Sequence, residues 1–331
     1  MPSFQTCVLC LQVSAGDALY RFQEVIYGSG EAVQPEEYVG IGQVTEFRFG
    51  VDLYNNFHQG VQNTMQYLVD FGGDSWSLLP SDSAVTFTDN HDTQRSETNV
   101  LTYKDGQYYN LANYFMLAHP YGHPKVMSSY YFTDTDAGPP SSSVHSSSSS
   151  SSSSSRNQKL RGNDKSSSSG GSDDSVDCGG GSTWVCEHRR GGIANMVKFR
   201  LATTRNGTAT DVSVAHWYSP SDNGNRAAFG FSTGLGFFAV NMDASSVWDD
   251  GDSFETGMAD GRYCNAIYSD GQDYYSANGG GLEVGSFKAG LDDGDSSDGC
   301  ADGSEAITVS GGRASFSVPS LGAVAFYSDS A

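Results

Sequence analysis

Residues 85–95 read VTFTDNHDTQR, that is Val85-Thr86-Phe87-Thr88 followed by Asp89-Asn90-His91-Asp92 and Thr93-Gln94-Arg95. Four β-branched or aromatic residues, types that suit the pleated surface of a strand, give way at once to two carboxylates, an amide and an imidazole. A buried strand that breaks into such a cluster is how a parallel α/β barrel presents chemistry. The strand lends rigidity, and its C-terminal tip aims side chains into a shared mouth. Asp and Asn are also ordinary turn formers, so the same letters describe a strand leaving a core through a polar turn.

Working outward, Phe22-Gln23-Glu24-Val25-Ile26 reads as a strand with Glu24 near its centre, and Gly28, Gly30 and Pro35 mark a loop after it. Residues 44–47 form another short strand. From 49 to 69 the apolar residues Val51, Leu53, Phe57, Val61, Met65 and Leu68 recur at helical spacing, and Gly72-Gly73 stops that helix. Residues 108–118 read as a helix, 126–129 as a strand, and 184–201 as a helix with Val185, Ile193, Met196 and Val197 turned inward. Gly191-Gly192 inside this last helix costs about 1 kcal/mol each relative to Ala, so a weak or kinked helix is expected. Beyond residue 206 the texture changes to short alternating runs, at 227–231, 237–240, 306–309, 314–318 and 323–327, separated by Gly, Asn and Asp. That is the pattern of an antiparallel β-sandwich.

Length and composition agree with one or two domains and a real core: 331 residues, 37% hydrophobic, 12% aromatic. The 40 glycines favour a turn-rich architecture over a helical bundle. No apolar run reaches the eighteen or so residues that a membrane helix needs. The formal charge is −21, and between Asp243 and Glu305 fifteen carboxylates face only Arg262 and Lys288. Such a surface repels nucleic acid, whose phosphates require Lys and Arg, and suits a neutral polymer. Asp293-Gly294-Asp295-Ser296-Ser297-Asp298 begins like a calcium-binding EF-hand loop, but Asp298 stands where the turn needs Gly and Ser304 where a bidentate Glu is needed. Cys7 and Cys10 form a C-x-x-C without the second pair that a zinc site requires. Residues 146–155 are ten consecutive serines. They bury no apolar area to offset ordering entropy, so a disordered spacer is expected over 141–181.

Several collinear segments resemble the α-amylases of glycoside hydrolase family thirteen, of the animal, chloride-dependent type. Residues 87–95, FTDNHDTQR, resemble the segment near the seventh barrel strand. Phe22-Gln23-Glu24-Val25-Ile26, with Gly30-Glu31-Ala32 after it, resembles the fifth-strand segment that carries the catalytic acid. Glu37-Tyr38 and Gly42-Gln43-Val44-Thr45-Glu46-Phe47-Arg48 resemble the sixth-strand region. His119-Pro120-Tyr121-Gly122 and Val126-Met127-Ser128-Ser129-Tyr130 match the approach to the eighth strand, and Trp184-Val185-Cys186-Glu187-His188-Arg189 the start of the last barrel helix. The resemblance implies a partial (β/α)8 barrel, about strands five to eight, over residues 21–203, then a C-terminal β-sandwich over 204–331. Residues 1–20 resemble nothing in the family.

The resemblance also implies roles. Retaining glycosidases use two carboxyl groups about 5–5.5 Å apart, one an acid with a raised pKa and one a nucleophile. Glu24 matches the general acid/base, and Phe22, Val25 and Ile26 are expected to wall it in. Asp92 matches the carboxylate that stabilises the transition state, and His91 a histidine that hydrogen-bonds the same sugar. Asn90 and Lys125 fall where chloride is held, although Lys loses the bidentate geometry of Arg. Cys178 with Cys186, and Cys264 with Cys300, fall where the family has disulfides, which implies an oxidising, secretory route. The residues 1–18 have no basic leader and make a poor signal peptide.

The strand that carries the family's nucleophilic Asp, together with its calcium ligands and a chloride-binding Arg, has no counterpart here. The expectation is therefore an inactive portion of an α-1,4-glucan endo-hydrolase acting on starch, glycogen or maltooligosaccharides, with no metal ligands in this chain and an incomplete chloride site. The whole enzyme would use calcium and chloride, be secreted and act as a monomer. A non-catalytic amylase-like carbohydrate-binding protein and a related transglycosylase are the alternatives.

Overall fold

The computed structural model describes residues 20–96, 98–141, 183–204, 212–221, 223–249, 251, 253–267, 300 and 304–328. The serine run, the C-x-x-C, Cys178 and the loop containing Asp293 lie outside them.

The first half builds a four-stranded parallel sheet in the order β1 (Phe22–Gln23), β2 (Gln43–Thr45), β3 (Ala84–Thr86), β4 (His123–Pro124). Gln23 pairs with Val44, Thr45 with Val85, and Thr86 with Pro124. Parallel strands need long crossovers. Helix α1 (Phe47–Phe57) lies between β2 and β3, and α3 (Gln107–Ala118) between β3 and β4. Because all four strands run the same way, their C-terminal tips share one edge of the sheet.

The predicted helix over 49–69 is interrupted. It starts at Phe47, where Glu46 accepts the Arg48 N–H, and ends at Phe57. Gly60 at φ +91° turns the chain before a 3-10 segment, Met65–Asp70. The strand expected over 126–129 is replaced by the shorter β4, at His123–Pro124. The helix expected from 184 begins later. Trp184 forms an isolated bridge with Tyr130, and α4 spans Gly191–Thr204. Both glycines thus lie in its first turn, where they cost little. A Cβ on Gly192 would stand 2.2 Å from the Tyr114 hydroxyl, so this glycine lets α4 approach α3. A four-residue turn of helix, α2 (Thr93–Ser96), follows the stretch that opened the sequence analysis.

The second half forms two antiparallel four-stranded sheets. One has the order β12 (Gly322–Tyr327), β7 (Gly236–Asn241), β6 (Arg226–Phe231), β5 (Val214–Tyr218). The other has the order β8 (Phe254–Glu255), β11 (Arg313–Ala314), β10 (Ala306–Ser310), β9 (Gly261–Cys264). Between their facing sides Phe237, Trp248, Phe254, Val309, Val324 and Phe326 form one apolar core. Cys264 and Cys300 are disulfide-bonded. Two facing antiparallel sheets match the expected sandwich, although the in-and-out alternation is kept in β10 and not in β6, β7 or β12.

A single hydrophobic cluster crosses the expected boundary at 203. Phe229, Phe231, Phe238 and Val240 of the second sheet pack with Phe115 of α3 and Phe199 of α4. The β6 and β7 strands therefore present apolar side chains on both faces and are buried throughout. Arg200 of α4 is buried, and among the described residues its guanidinium meets carbonyl oxygens rather than a carboxylate. It donates to those of His119, to Pro120 at 2.9 Å and to Gly122 at 2.7 Å, which anchors the approach to β4.

Candidate functional site

The common edge of β1–β4 carries Glu24, Glu46, residues 89–92 and Lys125 in that order. Adjacent strands lie about 4.8 Å apart, so two spacings, about 10 Å of backbone, separate the tips of β1 and β3. Glu24 and Asp92 therefore leave the sheet on the same side, two strands from each other.

Glu24 follows β1 directly and is exposed. The apolar wall expected around it is not formed: Phe22 is 47% exposed and Ile26 58%. The reason is position. Among the described residues β1 pairs with β2 alone, so nothing covers its outer side. Its tip is held from the β2 side, where Thr45 Oγ1 donates to the Gln23 carbonyl and accepts from Val25 N, both at 3.3 Å.

At the β2 tip the buried Glu46 is fully engaged. Arg48 reaches its two carboxylate oxygens at 2.8 and 2.7 Å, and Leu79 N donates at 2.8 Å. This pair is a support rather than a reactive group. The Arg48 guanidinium lies 4.5 Å from the Tyr27 ring centroid, which ties the loop after Glu24 to β2.

The β3 tip is an Asx turn. Asn90 Oδ1 accepts from Asp92 N at 3.0 Å and Thr93 N at 2.8 Å, while Thr93 Oγ1 accepts from Asn90 N at 2.9 Å. The turn projects His91 and Asp92 into solvent as a pair, 3.4 Å apart and about two-thirds exposed. Arg95 clamps it from below. Its Nε donates to the His91 carbonyl at 3.0 Å, and its guanidinium reaches Tyr130 Oη and the carbonyls of Thr135 and Ala137. The loop after β4 is thereby fastened beside His91 and Asp92.

Asp89, which begins this turn, points the other way and is buried. Its Oδ1 accepts from Tyr109 Oη at 3.0 Å. Burial, then the neighbouring Glu187, hold its carboxyl well above the usual carboxylate range. Glu187 is itself buried and raised by desolvation, although the backbone N–H of Ser129 donates to its Oε2 at 2.7 Å. Arg190 donates to Asn110 Oδ1 at 2.6 Å and stands 5.7 Å from the Tyr109 ring centroid. The motif reading singled out neither Asp89 nor these partners for a role. A signal was present in α3, where Asn110 and Asn113 interrupt an otherwise apolar helix and are buried.

Of the residues matched to chloride, Asn90 accepts the turn's N–H groups through Oδ1, so an anion would have to be met by its Nδ2, and Lys125 Nζ lies 5.2 and 4.8 Å from the ring centroids of Tyr20 and Phe22. Tyr20, expected to lie outside the fold, is part of it, and its hydroxyl donates to Gln43 Oε1 at 2.7 Å. Among the described residues no group of three or more His, Cys, Asp and Glu is disposed to hold a metal ion. Nor does any described helix have the length and apolarity to cross a membrane. Cys186 is disulfide-bonded, while Cys178, its expected partner, lies outside the described residues.

A parallel sheet with carboxylates at its strand tips, joined to an antiparallel β-domain, makes the barrel glycoside hydrolases the class to compare. No protein-family model matches the chain. Pancreatic α-amylase of Sus scrofa is 34% identical over 260 residues, 77% of this chain and 46% of that enzyme. An α-amylase of Streptomyces violaceus is 37% identical over 243 residues, 73% of this chain and 34% of its own. α-Amylase I of Eisenia fetida, solved as a mutant complexed with maltohexaose, superimposes with a TM-score of 0.65 at 28% identity, covering 96% of this chain and 55% of that one. The chain belongs to the α-amylases of glycoside hydrolase family thirteen, and it spans less than half the length of these curated relatives.

Proposed function

We propose that this chain supplies the acid and the transition-state stabiliser of a retaining α-1,4-glucan endo-hydrolase of the α-amylase type. Glu24 serves as general acid/base, Asp92 grips the hydroxyls of the sugar at the cleavage point, and His91 hydrogen-bonds the same sugar. The observation that carries this reading is the shared edge: both carboxylates leave the sheet from C-terminal tips of parallel strands. The barrel enzymes place their chemistry on that face. The contact of Lys125 with Phe22 supports the curl expected of a partial barrel.

The tips of β1–β4 leave no carboxylate for the nucleophile. Glu46 is held by Arg48 and Leu79, and Asp89 is buried against Tyr109. The attacking group must come from elsewhere, and the described residues alone are not expected to hydrolyse starch. A nucleophile-bearing segment packed on the open side of β1 would also cover Glu24, raising its pKa as a general acid requires. The disulfide between Cys264 and Cys300 supports a secretory route.

Two measurements test the reading. Maltohexaose is expected to bind the 331-residue chain weakly, and Asp92→Asn and His91→Ala each to weaken that binding. Unchanged binding in both variants overturns the assignment of the β3 tip. Reducing ends released from starch by the purified chain, and lost in Glu24→Gln, would overturn the claim that the nucleophile lies elsewhere.

A further inference from the structure

Behind the β3 tip, Asp89 and Arg190 both lie against Tyr109, and Glu187 stands one 3-10 turn before Arg190. Among the described residues Asp89 Oδ2, Glu187 Oε1 and Arg190 Nη2 have no hydrogen-bond partner. The residues are 2%, 0% and 9% exposed. They form one electrostatic group, since Glu187 raises the Asp89 pKa and Arg190 lowers it. Ser129 Oγ lies near enough to lower the Glu187 pKa but makes no well-formed hydrogen bond. Buried polar atoms left without a partner are costly, and more so when charged.

We infer that Asp89, Glu187 and Arg190 enclose a single buried water molecule. The donor and acceptor count selects this ligand. Two carboxylate oxygens accept and one guanidinium nitrogen donates, which matches a water's two hydrogens and one of its lone pairs. If Asp89 carries a proton, the water accepts from Asp89 and Arg190 and donates to Glu187, so one molecule still satisfies all three. A bare cation is disfavoured by the guanidinium in the group, and an anion by the two carboxylates.

The water would join the residue before the Asx turn to the segment entering α4. Asp89 precedes Asn90 directly, so this link sets where His91 and Asp92 stand. Asp89, Glu187 and Arg190 are then positioning residues, and this part rests on the function proposed above.

A crystal structure of the 331-residue chain at a resolution that shows ordered water decides the site. The expected result is one water within about 2.6–3.2 Å of all three atoms. Direct contact between the two carboxyl groups, an empty site, or a peak at the about 2.4 Å distances of a cation would overturn it. For the positioning role, Arg190→Met is expected to weaken maltohexaose binding about tenfold, as small displacements of binding groups do, and Arg190→Lys to restore most of it. Equal affinity in Arg190→Met refutes positioning. A wild-type chain that shows the water but no maltohexaose binding would refute the function and leave the water site standing.

Discussion

The ammonium of Lys125, just past β4, lies 4.8 Å from the centroid of the Phe22 ring on β1. On a flat sheet three spacings, about 14 Å, would separate those strands. Tyr20 and His123 repeat the relationship, with ring centroids 5.0 Å apart. Long side chains from the first and last strands therefore meet across the sheet, a contact that a curled sheet would shorten. A cation–π contact at a partly exposed site is worth about 0.5–1 kcal/mol. Lys125→Ala should lower stability by that amount in urea unfolding, and Lys125→Arg should not. If Lys125 instead served chiefly as an anion ligand, replacing chloride by acetate would lower the unfolding midpoint of the wild type and leave that of Lys125→Ala unchanged.

His119 makes stability depend on pH. Burial, then the charge of Arg200, push its pKa down to about 3 from 6.5. Its Nδ1 accepts from Tyr121 N at 3.3 Å, so protonation would also break a hydrogen bond. The unfolded chain takes up the proton first as pH falls. The contribution of neutral His119 is thus complete above about pH 6.5 and is lost on acidification, by at most about 1.4 kcal/mol per pH unit. Asp52 acts in the opposite sense: burial raises its pKa to about 6, so it costs stability as pH rises from 3.8 towards that value. Thermal midpoints measured between pH 6.5 and 4 should fall less steeply in His119→Gln than in the wild type. Parallel curves would show that His119 is not the group responsible.

Gly192 is where α4 meets α3. Its absent Cβ leaves room for the Tyr114 hydroxyl, and Tyr114 is buried and cannot swing away. Gly192→Ala should destabilise by about 1–3 kcal/mol through overpacking, despite the higher helix propensity of Ala. The double variant with Tyr114→Phe should recover part of the loss. Stabilisation by Gly192→Ala alone would mean that the helices separate freely.

The disulfide between Cys264 and Cys300 spans 36 residues of sequence. Cross-linking a loop of that length stabilises by about 3–4 kcal/mol in the chain-entropy account. Replacing both cysteines by serine should lower stability by that order in denaturant unfolding. A fall well below about 1 kcal/mol would point to a loop already ordered without the bridge.

Local chemistry was legible where residue type alone decides the outcome. Short apolar runs at 227–231 and 323–327 marked strands buried on both faces, and VTFT followed by DNHD marked a strand tip because apolar residues stop where polar ones begin. The same residues did not reveal that Asn90 would spend its side chain on its own turn, or that Lys125 would settle over aromatic rings. Those outcomes depend on which strands become neighbours. The exposure of Glu24 is of the same kind. Its flanking Phe22 and Ile26 are apolar in any context, but they bury a carboxylate only if another element packs on β1. Sequence by itself thus determined the strand tips, the sandwich and the family. Tertiary structure alone decided that Asp89 turns inward to Tyr109 while Asp92, three residues on, faces solvent, because burial is set by the packing of α3 and α4 against the sheet and not by the residues of the turn.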